Sequence, residues 1–359
     1  GDPLNFILDN YYMSDYQSAA MGIDPQLKAY AGKNNKLTLQ ERYELFLRAY
    51  RGSNQTAYAR GMQIGLRECW GIRDVSSYEE FCALSEKLKS RGPEIYGRMM
   101  ERYGVRAKVV DAFDIADLVD GSRSDYSEYC RFAYPLPSFH NIHSAGDVYR
   151  LQRYLDRTIV CLDDYLEAFD ECLKRHIDFG VVCFKDQSAY RRTLAYGNPT
   201  RAEAEKAFCD IMMNQRDVFG DDHVRALDDW LFQYALRAAA KYDLPVQLHT
   251  GHMAGIRNEI QKTNAAQLIP TIELNRDVRF DLFHGNWPYM DEYLFMGKNY
   301  PNVWLNLCWV QAIDPLYSIE LMKRAVMTVP HAKLFAFGGD TGFVEWMVGY
   351  LVLARDNVA

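Results

Sequence analysis

The stretch Leu244-Pro-Val-Gln-Leu-His-Thr-Gly-His252 decides the fold. In it a short, mostly apolar run leads to His249, and a glycine follows almost directly. Runs of four to six apolar residues between turn-forming residues are typical of buried parallel strands. The stretch therefore predicts a strand that ends at His249.

Two later stretches repeat this form. Arg279-Phe-Asp-Leu-Phe-His-Gly285 leads to His284, and Lys333-Leu-Phe-Ala-Phe-Gly-Gly-Asp340 ends in a carboxylate. Three side chains able to bind a metal or a proton, at the ends of three strands, are typical of the active site of a (β/α)8 barrel. The three stretches together predict an α/β fold of the TIM-barrel class.

From Val105 onward the sequence alternates between strand and helix patterns. The predicted strands are Val105–Phe113, Tyr129–Pro135, Phe179–Lys185, the runs ending at His249 and His284, Asn302–Leu307 and Lys333–Phe337. A long helix is predicted from Ala145 to His176. Strands separated by helices form a parallel sheet with right-handed crossovers. A barrel needs eight strands and seven are visible, so the first strand is expected upstream of Gly1.

The first hundred residues are predicted to be helical. Thr38-Leu-Gln-Glu41 is a capping-box pattern at the start of a helix. Residues 1–104 are therefore predicted to be a helical insertion, or cap, that follows strand one. Residues 105–359 are predicted to hold barrel strands two to eight.

The composition argues against nucleic acid and membrane partners. The chain has 359 residues, 48% of them hydrophobic, with a formal net charge of −7 and no block of Lys or Arg. Its most apolar late stretch, Phe343–Ala354, contains Glu345 and is too short to span a bilayer. The eight cysteines include no CxxC pair, which favours reduced thiols in a cytoplasmic protein. The expected partner is a small-molecule substrate, and a homo-oligomer is left open.

The recurring strand ends favour a functional site. A single histidine in an apolar strand is usually a packed core residue, but here the pattern occurs three times. Zinc and similar metals bind imidazole nitrogen and carboxylate oxygen. A bound metal lowers the pKa of a water molecule, and a nearby carboxylate can take its proton. The pattern indicates a site more strongly than it indicates a metal.

Several motifs resemble the amidohydrolase superfamily. The likeness is greatest to its TIM-barrel metal-dependent hydrolases related to uronate isomerases and to the amidohydrolase-like half of some glutamine-synthetase fusions. It covers roughly residues 80–359. The motifs are His249-Thr-Gly, His284-Gly-x-x-Pro-Tyr289, Tyr300-Pro-Asn-Val-Trp-Leu-Asn306, Phe337-Gly-Gly-Asp340 and Phe184-Lys-Asp-Gln-Ser-Ala-Tyr-Arg191.

The resemblance implies a metal-dependent hydrolase. It implies His249 as a metal ligand, His284 as a ligand or catalytic histidine, and Asp340 as a metal-bound general base. The expected cofactor is a divalent metal, with zinc as the first choice. The expected reaction is hydrolysis of an amide, ester or lactone bond, by a metal-activated water, in a small polar substrate bearing a carboxylate. The alternative is a uronate-type sugar-acid isomerase in which Asp340 and a histidine move a proton between adjacent carbons.

One family feature is absent. The His-x-His pair of strand one is not found, and His140-Asn-Ile-His143 has the wrong spacing. On a strand, residues three apart point to opposite faces, so this pair is expected in a loop near the barrel mouth. If the His-x-His pair is truly missing from the protein, a catalytically inactive barrel becomes the third possibility.

The remaining site residues follow strand ends. The same resemblance implies Lys185 as a metal ligand, in the form of a bridging carbamate. The alternatives are an ion pair with Asp186 or another barrel carboxylate, or direct binding of a substrate anion. An arginine at the barrel mouth can hold a carboxylate by two parallel hydrogen bonds. The residues expected to bind substrate are Tyr190, Arg192, His252 and Trp287.

Overall fold

The computed structural model describes residues 2–10, 13, 36–111, 119 and 128–359. The chain forms two compact units. Unit 1 comprises Gly1–Arg106, His252–Ile260 and Leu305–Ala359, and unit 2 comprises Ala107–Gly251 and Gln261–Trp304. The division into a cap, 1–104, and a barrel, 105–359, stays a prediction.

All seven predicted strands are present, and the last six are shorter than their sequence patterns. Residues 112–113 of the first predicted strand lie outside the described residues. Their order in the sheet is their order in the chain, and the pairings recorded between neighbours are parallel. The strands are β1 (Lys108–Asp111), β2 (Cys130–Pro135), β3 (Val181–Asp186), β4 (Val246–Leu248), β5 (Phe280–Leu282), β6 (Val303–Asn306) and β7 (Leu334–Phe335). Parallel strands in chain order, joined by helices, confirm the predicted fold class. In the described sheet, β1 and β7 are the two ends of the order, so the expected additional strand stays a prediction.

Helices occupy most of the connections. Their bounds in the described residues are Pro3–Asp9, Leu39–Ser53, Ala57–Trp70, Tyr78–Lys89, Glu94–Arg102, Pro137–His140, Ala145–Leu155, Leu162–Phe179, Arg201–Met213, Asp221–Lys241, Ile269–Leu274, Met290–Asn299, Val310–Ile313, Pro315–Thr328 and Val344–Val358. None of these described helices is both long enough and apolar enough to cross a membrane.

The long helix predicted over Ala145–His176 is wrong. The structure has two helices there, Ala145–Leu155 and Leu162–Phe179. The first ends at Asp156, which adopts a left-handed conformation with φ 51°. The second is capped by Asp164, whose carboxylate accepts hydrogen bonds from the N–H groups of Val160 and Cys161 at 2.9 and 3.1 Å. Apolar residues continue at helical spacing across the break, and these local caps override that spacing.

The early helices of unit 1 pack directly against the C-terminal helix. The helix that begins after Thr38 has the predicted capping box, with Glu41 accepting from the Thr38 N–H at 2.7 Å. A Cβ atom at Gly65 would lie 1.9 Å from the carbonyl oxygen of Glu345, and one at Gly349 would lie 1.8 Å from that of Gly61. Glycine at both positions lets the helices Ala57–Trp70 and Val344–Val358 approach to backbone contact.

Candidate active site

Strands β4 and β5 bring the two predicted histidines together. Gln247 pairs with Asp281 in the parallel register, so the two strands end side by side. The Nε2 atom of His284 lies 3.1 Å from the Nδ1 atom of His249, and both side chains are buried. The polar ends of the imidazoles therefore face each other beyond the carboxyl ends of the strands, where barrel active sites are built.

The turn after β5 is held in an unusual backbone conformation. His284, Gly285 and Asn286 all have positive φ, at 69°, 58° and 50°. Non-glycine residues rarely adopt this region, and each costs about 1 kcal/mol or more unless the surroundings hold it. The buried Asn286 side chain accepts from the Ala265 N–H at 2.8 Å and donates to the Tyr289 carbonyl at 3.1 Å. These bonds stabilise the turn that presents His284.

Thr250 and Gly251, which follow His249, connect the turn after β4 with the turn after β5. The Thr250 hydroxyl donates to the Phe283 carbonyl at 2.6 Å. Gly251 has φ 69°, and a Cβ atom there would lie 2.6 Å from backbone atoms of Asn286 and Trp287. Only glycine fits this contact without movement of the backbone. Trp287, expected at the pocket, therefore contacts the first turn through its main chain, and its side chain is partly exposed.

Tyr190 lies beside His249. It belongs to the 3-10 turn Ser188–Tyr190, directly after β3. Its ring is 4.8 Å from the His249 ring in an edge-to-face arrangement, and 45% of the residue is exposed. Among the predicted substrate-binding residues of unit 2, Tyr190 contacts a predicted metal ligand, His249. Part of the Tyr190 side chain remains accessible to solvent.

Lys185 is the last residue but one of β3 and is 3% exposed. Its Nζ atom lies 3.7 Å from the centroid of the Phe283 ring, a cation–π contact. The alternative of an ion pair with Asp186 is not formed, and Lys185 has no ion pair with any carboxylate that the structure describes. The carboxylate of Asp186 is occupied by other donors.

A buried charged cluster adjoins the end of β3. It contains Asp186, His140, Asp228 and Arg192. Asp186 accepts from the Ser188 N–H at 2.9 Å and from the Nε2 atom of His140 at 2.6 Å. The other ring nitrogen of His140 bonds to Asp228. Burial opposes the charged form of His140, but the carboxylates of Asp228 and Asp186 outweigh it and raise the pKa to about 9. His140 is therefore an imidazolium at neutral pH, with both ring nitrogens donating.

Arg192 belongs to the same cluster. Its guanidinium lies 2.5 Å from a carboxylate oxygen of Asp228 and 2.6 Å from one of Asp229, and it covers the ring of Tyr196. Burial acts against ionisation of Asp228, but His140 and Arg192 together hold its pKa below the usual value. We expected Arg192 to hold a substrate carboxylate at the barrel mouth. In the structure two carboxylates of the protein occupy that guanidinium.

The pairing of His140 with Asp228 was not predicted from the sequence. The two are 88 residues apart, and His140 was assigned to a loop although it ends the short helix Pro137–His140. One signal was available. Asp228 lies four residues after Val224 and four before Phe232, on the apolar face of its helix, and a carboxylate on such a face needs a buried partner.

The other two predicted site residues belong to unit 1. The ring of His252 lies 5.1 Å from that of Trp309, and burial lowers its pKa to about 4, so His252 is neutral at pH 7. Asp340 is partly buried and has φ 46°. Two residues before it is Gly338, where a Cβ atom would lie 2.5 Å from the Cys308 sulfur.

The histidine pair fits two positions of a divalent metal site. At zinc–nitrogen distances of about 2.0–2.1 Å, two imidazole nitrogens on one tetrahedral ion lie about 3.3 Å apart. The observed separation between His249 and His284 is 3.1 Å. In the described part of the chain, no group of three or more His, Cys, Asp or Glu side chains forms a complete donor set. The pair thus supplies two donors.

Parallel strands in chain order, with a histidine pair at their carboxyl ends, define an α/β-barrel protein with a strand-end site. The sequence model of the amidohydrolase family matches residues 130–340, which is more than half of the chain. The chain belongs to the amidohydrolase family, and the resemblance drawn from its motifs is confirmed. The family implies a divalent metal.

A curated relative covers only a short part of the chain. The protein fluG of Emericella nidulans is 36% identical over 119 residues, which are 31% of this chain and 13% of fluG. The chain thus spans a small fraction of that protein's length.

Solved structures share the fold over nearly the whole chain. A uronate isomerase from Thermotoga maritima has a TM-score of 0.76 at 11% identity, covering 97% of this chain and 81% of its own. A glucuronate isomerase from Caulobacter crescentus has a TM-score of 0.70 at 13% identity, covering 98% and 77%. A Lactobacillus casei protein described as a metal-dependent hydrolase has a TM-score of 0.64 at 14% identity, covering 97% and 81%. At these identities the likeness establishes the fold alone.

Proposed function

We propose that this protein is a metal-dependent hydrolase of an amide, ester or lactone bond in a small polar molecule. The observation that carries the proposal is the 3.1 Å separation between the ring nitrogens of His249 and His284, at the ends of adjoining strands, in an amidohydrolase-family chain. Metal-ligand histidines commonly occupy such strand ends, and this separation suits two nitrogens on one ion.

His249 and His284 would hold the divalent ion, and zinc is the ion we propose. Such an ion, when bound, lowers the pKa of water and polarises a carbonyl oxygen. Asp340 is proposed as a further ligand and as the base that accepts the proton from water. Its assignment rests on the sequence motif Phe337-Gly-Gly-Asp340 alone.

The surrounding residues orient this pair. The main-chain N–H of His249 donates to the carbonyl oxygen of Asp186 at 3.0 Å, which fixes the exit of β4 to the exit of β3. The Thr250 and Gly251 contacts hold the turn that presents His284. Tyr190, with its ring against His249 and part of its surface exposed, is proposed to contact the substrate.

A uronate-type isomerase is the second candidate. The likeness to two isomerase structures favours it, and the histidine pair is compatible with both reactions. In this alternative, Asp340 and a histidine would transfer a proton between adjacent carbons of a sugar acid. A catalytically inactive barrel is the third, and it predicts that no metal binds.

Metal analysis of the purified protein, with variants of the pair, tests the proposal. We expect bound metal in the wild type and a loss of affinity of about 100-fold or more in His249→Ala and His284→Ala, since each removes a direct ligand. His331→Ala, at an exposed position, is the matched control and should retain full metal content.

Activity assays separate the candidates. Hydrolysis of amides or lactones, abolished in His249→Ala, would support the proposal. Isomerisation of sugar acids without hydrolysis would establish the second candidate. Equal metal content in the wild type and both pair variants would show that the site is assigned wrongly.

A further inference from the structure

Lys185 is a buried cation without a carboxylate partner among the described residues. An unpaired charge is costly to bury, and buried lysines are normally paired or bound to a ligand. At 3% exposure, Lys185 therefore requires an explanation beyond packing.

Two carboxylates near Lys185 in the sheet bond to other groups. Asp186, the next residue in the chain, accepts hydrogen bonds from His140, Ser188 and Tyr196. Asp281 accepts from the amide of Gln247 at 3.2 Å. Neither lies within ion-pair distance of Lys185.

The strand register places Lys185 on the polar face of the sheet. Lys185 pairs with Gln247, and Gln247 pairs with Asp281, so these three residues share one face. Their alternate neighbours, Phe184 and Leu248, are fully buried on the opposite, apolar face. His249 follows Gln247 by two residues, which is the spacing that returns a side chain to the same face.

Lys185 places its amino group over the aromatic ring of Phe283. Its Nζ atom lies 3.7 Å from the ring centroid. The face of an aromatic ring carries partial negative charge, which attracts an ammonium group and repels the negative charge of a carbamate. The contact therefore argues against a bridging carbamate and for a group that receives an anion.

We propose that Lys185 binds the carboxylate of the substrate, and this inference rests on the proposed function of the same site. The negative charge of the carboxylate would neutralise that of the ammonium group, and the ring of Phe283 holds the ammonium group in place. Asp281 on the same face makes a monoanion a better match than a phosphate dianion, because a second negative charge would meet its carboxylate. Lys185, rather than Arg192, is then the residue that recognises the carboxylate.

Lysine-selective NMR tests the proposal without requiring turnover. The protein is labelled with 13C at lysine Cε, and the Lys185 signal is assigned by its loss in Lys185→Met, or in Lys185→Gln if the first variant does not fold. Two ligand pairs that differ in the carboxylate, D-glucuronate with D-glucose and acetate with acetamide, are titrated against the wild type. Lys206→Met, at an exposed helix position, is the control variant.

We expect the Lys185 signal to shift with the carboxylates and not with their neutral counterparts. Carboxylate binding should weaken by about tenfold or more in the Lys185 variant, the loss of one charge-assisted contact, and should be unchanged in Lys206→Met. Metal content should be equal in all three proteins.

Three results would overturn the proposal. They are an equal response to charged and neutral ligands, no response to either carboxylate, and a carbamate signal from 13C-bicarbonate that disappears in the Lys185 variant. Each leaves the metal and hydrolysis experiments unaffected, so a failure here is distinguishable from a failure of the proposed function.

Discussion

The Nε2 atom of His140 lies 2.6 Å from a carboxylate oxygen of Asp186, and both side chains are fully buried. The main-chain carbonyl of the same aspartate accepts the N–H of His249. The buried cluster thus supports the end of β3, which in turn bonds to the main chain of His249 at the end of β4. Breaking a buried ion pair is strongly destabilising because an uncompensated charge remains.

The stability provided by His140 should depend on pH. Its pKa is raised in the folded protein to about 9 from an ordinary value of 6.5. A raised pKa means that the contribution is complete below about pH 6.5 and is lost as the pH rises through 9. The difference in unfolding free energy between wild type and His140→Asn should therefore fall by about 3 kcal/mol between pH 6 and pH 10. Urea denaturation at a series of pH values measures it.

The matched control for this series is the exposed His331. A His331→Asn variant should change the free energy of unfolding by no more than about 0.5 kcal/mol, since its imidazole is exposed. A constant difference between wild type and His140→Asn across the range would contradict a charged, doubly paired imidazole.

Arg192 and Arg191 provide a comparison between adjacent residues. Arg192→Met leaves the carboxylate of Asp229 without its cation and that of Asp228 with His140 alone, and we expect a loss of about 3–5 kcal/mol in unfolding free energy. Arg191 is exposed, and Arg191→Met should change it by no more than about 0.5 kcal/mol. Similar losses in both variants, measured by urea denaturation, would argue against Arg192 as part of a buried cluster.

Strand positions were predictable because buried parallel strands have a simple pattern. Each run, such as the one ending at His249, is apolar and bounded by turn-forming residues. These local features determine where a buried strand begins and ends. The split of the helix after Leu155 was not predictable from spacing. It depends on the left-handed conformation of Asp156 and on caps made by Asp164, which do not alter the apolar period.

The positions of His249 and His284 at strand ends were predictable because each motif is local. Each histidine follows its own strand, and the strand register brings the two side chains together. The role of Arg192 depends on Asp228, a residue 36 positions away on another helix. Tertiary pairing of this kind leaves no signal near Arg192 in the sequence.

Two ion pairs in unit 1 should differ greatly in their effect on stability. Arg91 bonds to both carboxylate oxygens of Glu345, at 2.9 and 3.2 Å, and the Glu345 side chain is 1% exposed. Lys89 and Glu86 form an exposed pair one turn apart. Arg91→Met should lower the free energy of unfolding by about 3 kcal/mol, because it leaves the buried carboxylate of Glu345 without its cation. Lys89→Met should lower it by about 0.5 kcal/mol or less. Equal denaturation midpoints for the two variants would contradict the burial of this pair.

Gly251 and Gly71 separate steric contact from backbone conformation. Both have positive φ, at 69° and 73°, but a Cβ atom at Gly71 would have no neighbour within 4 Å. Gly71→Ala should therefore cost only the conformational strain, about 1 kcal/mol. In Gly251→Ala the new carbon would lie 2.6 Å from backbone atoms of Asn286 and Trp287, so the turns after β4 and β5 must separate.

We expect Gly251→Ala to cost about 3 kcal/mol or more, since strain and overpacking add. It should also weaken metal binding, because Asn286 belongs to the turn that presents His284. Denaturation midpoints and metal affinities of the two variants measure both effects. Equal stability losses in the two variants, with full metal affinity in Gly251→Ala, would show that the contact between the turns does not position the histidine pair.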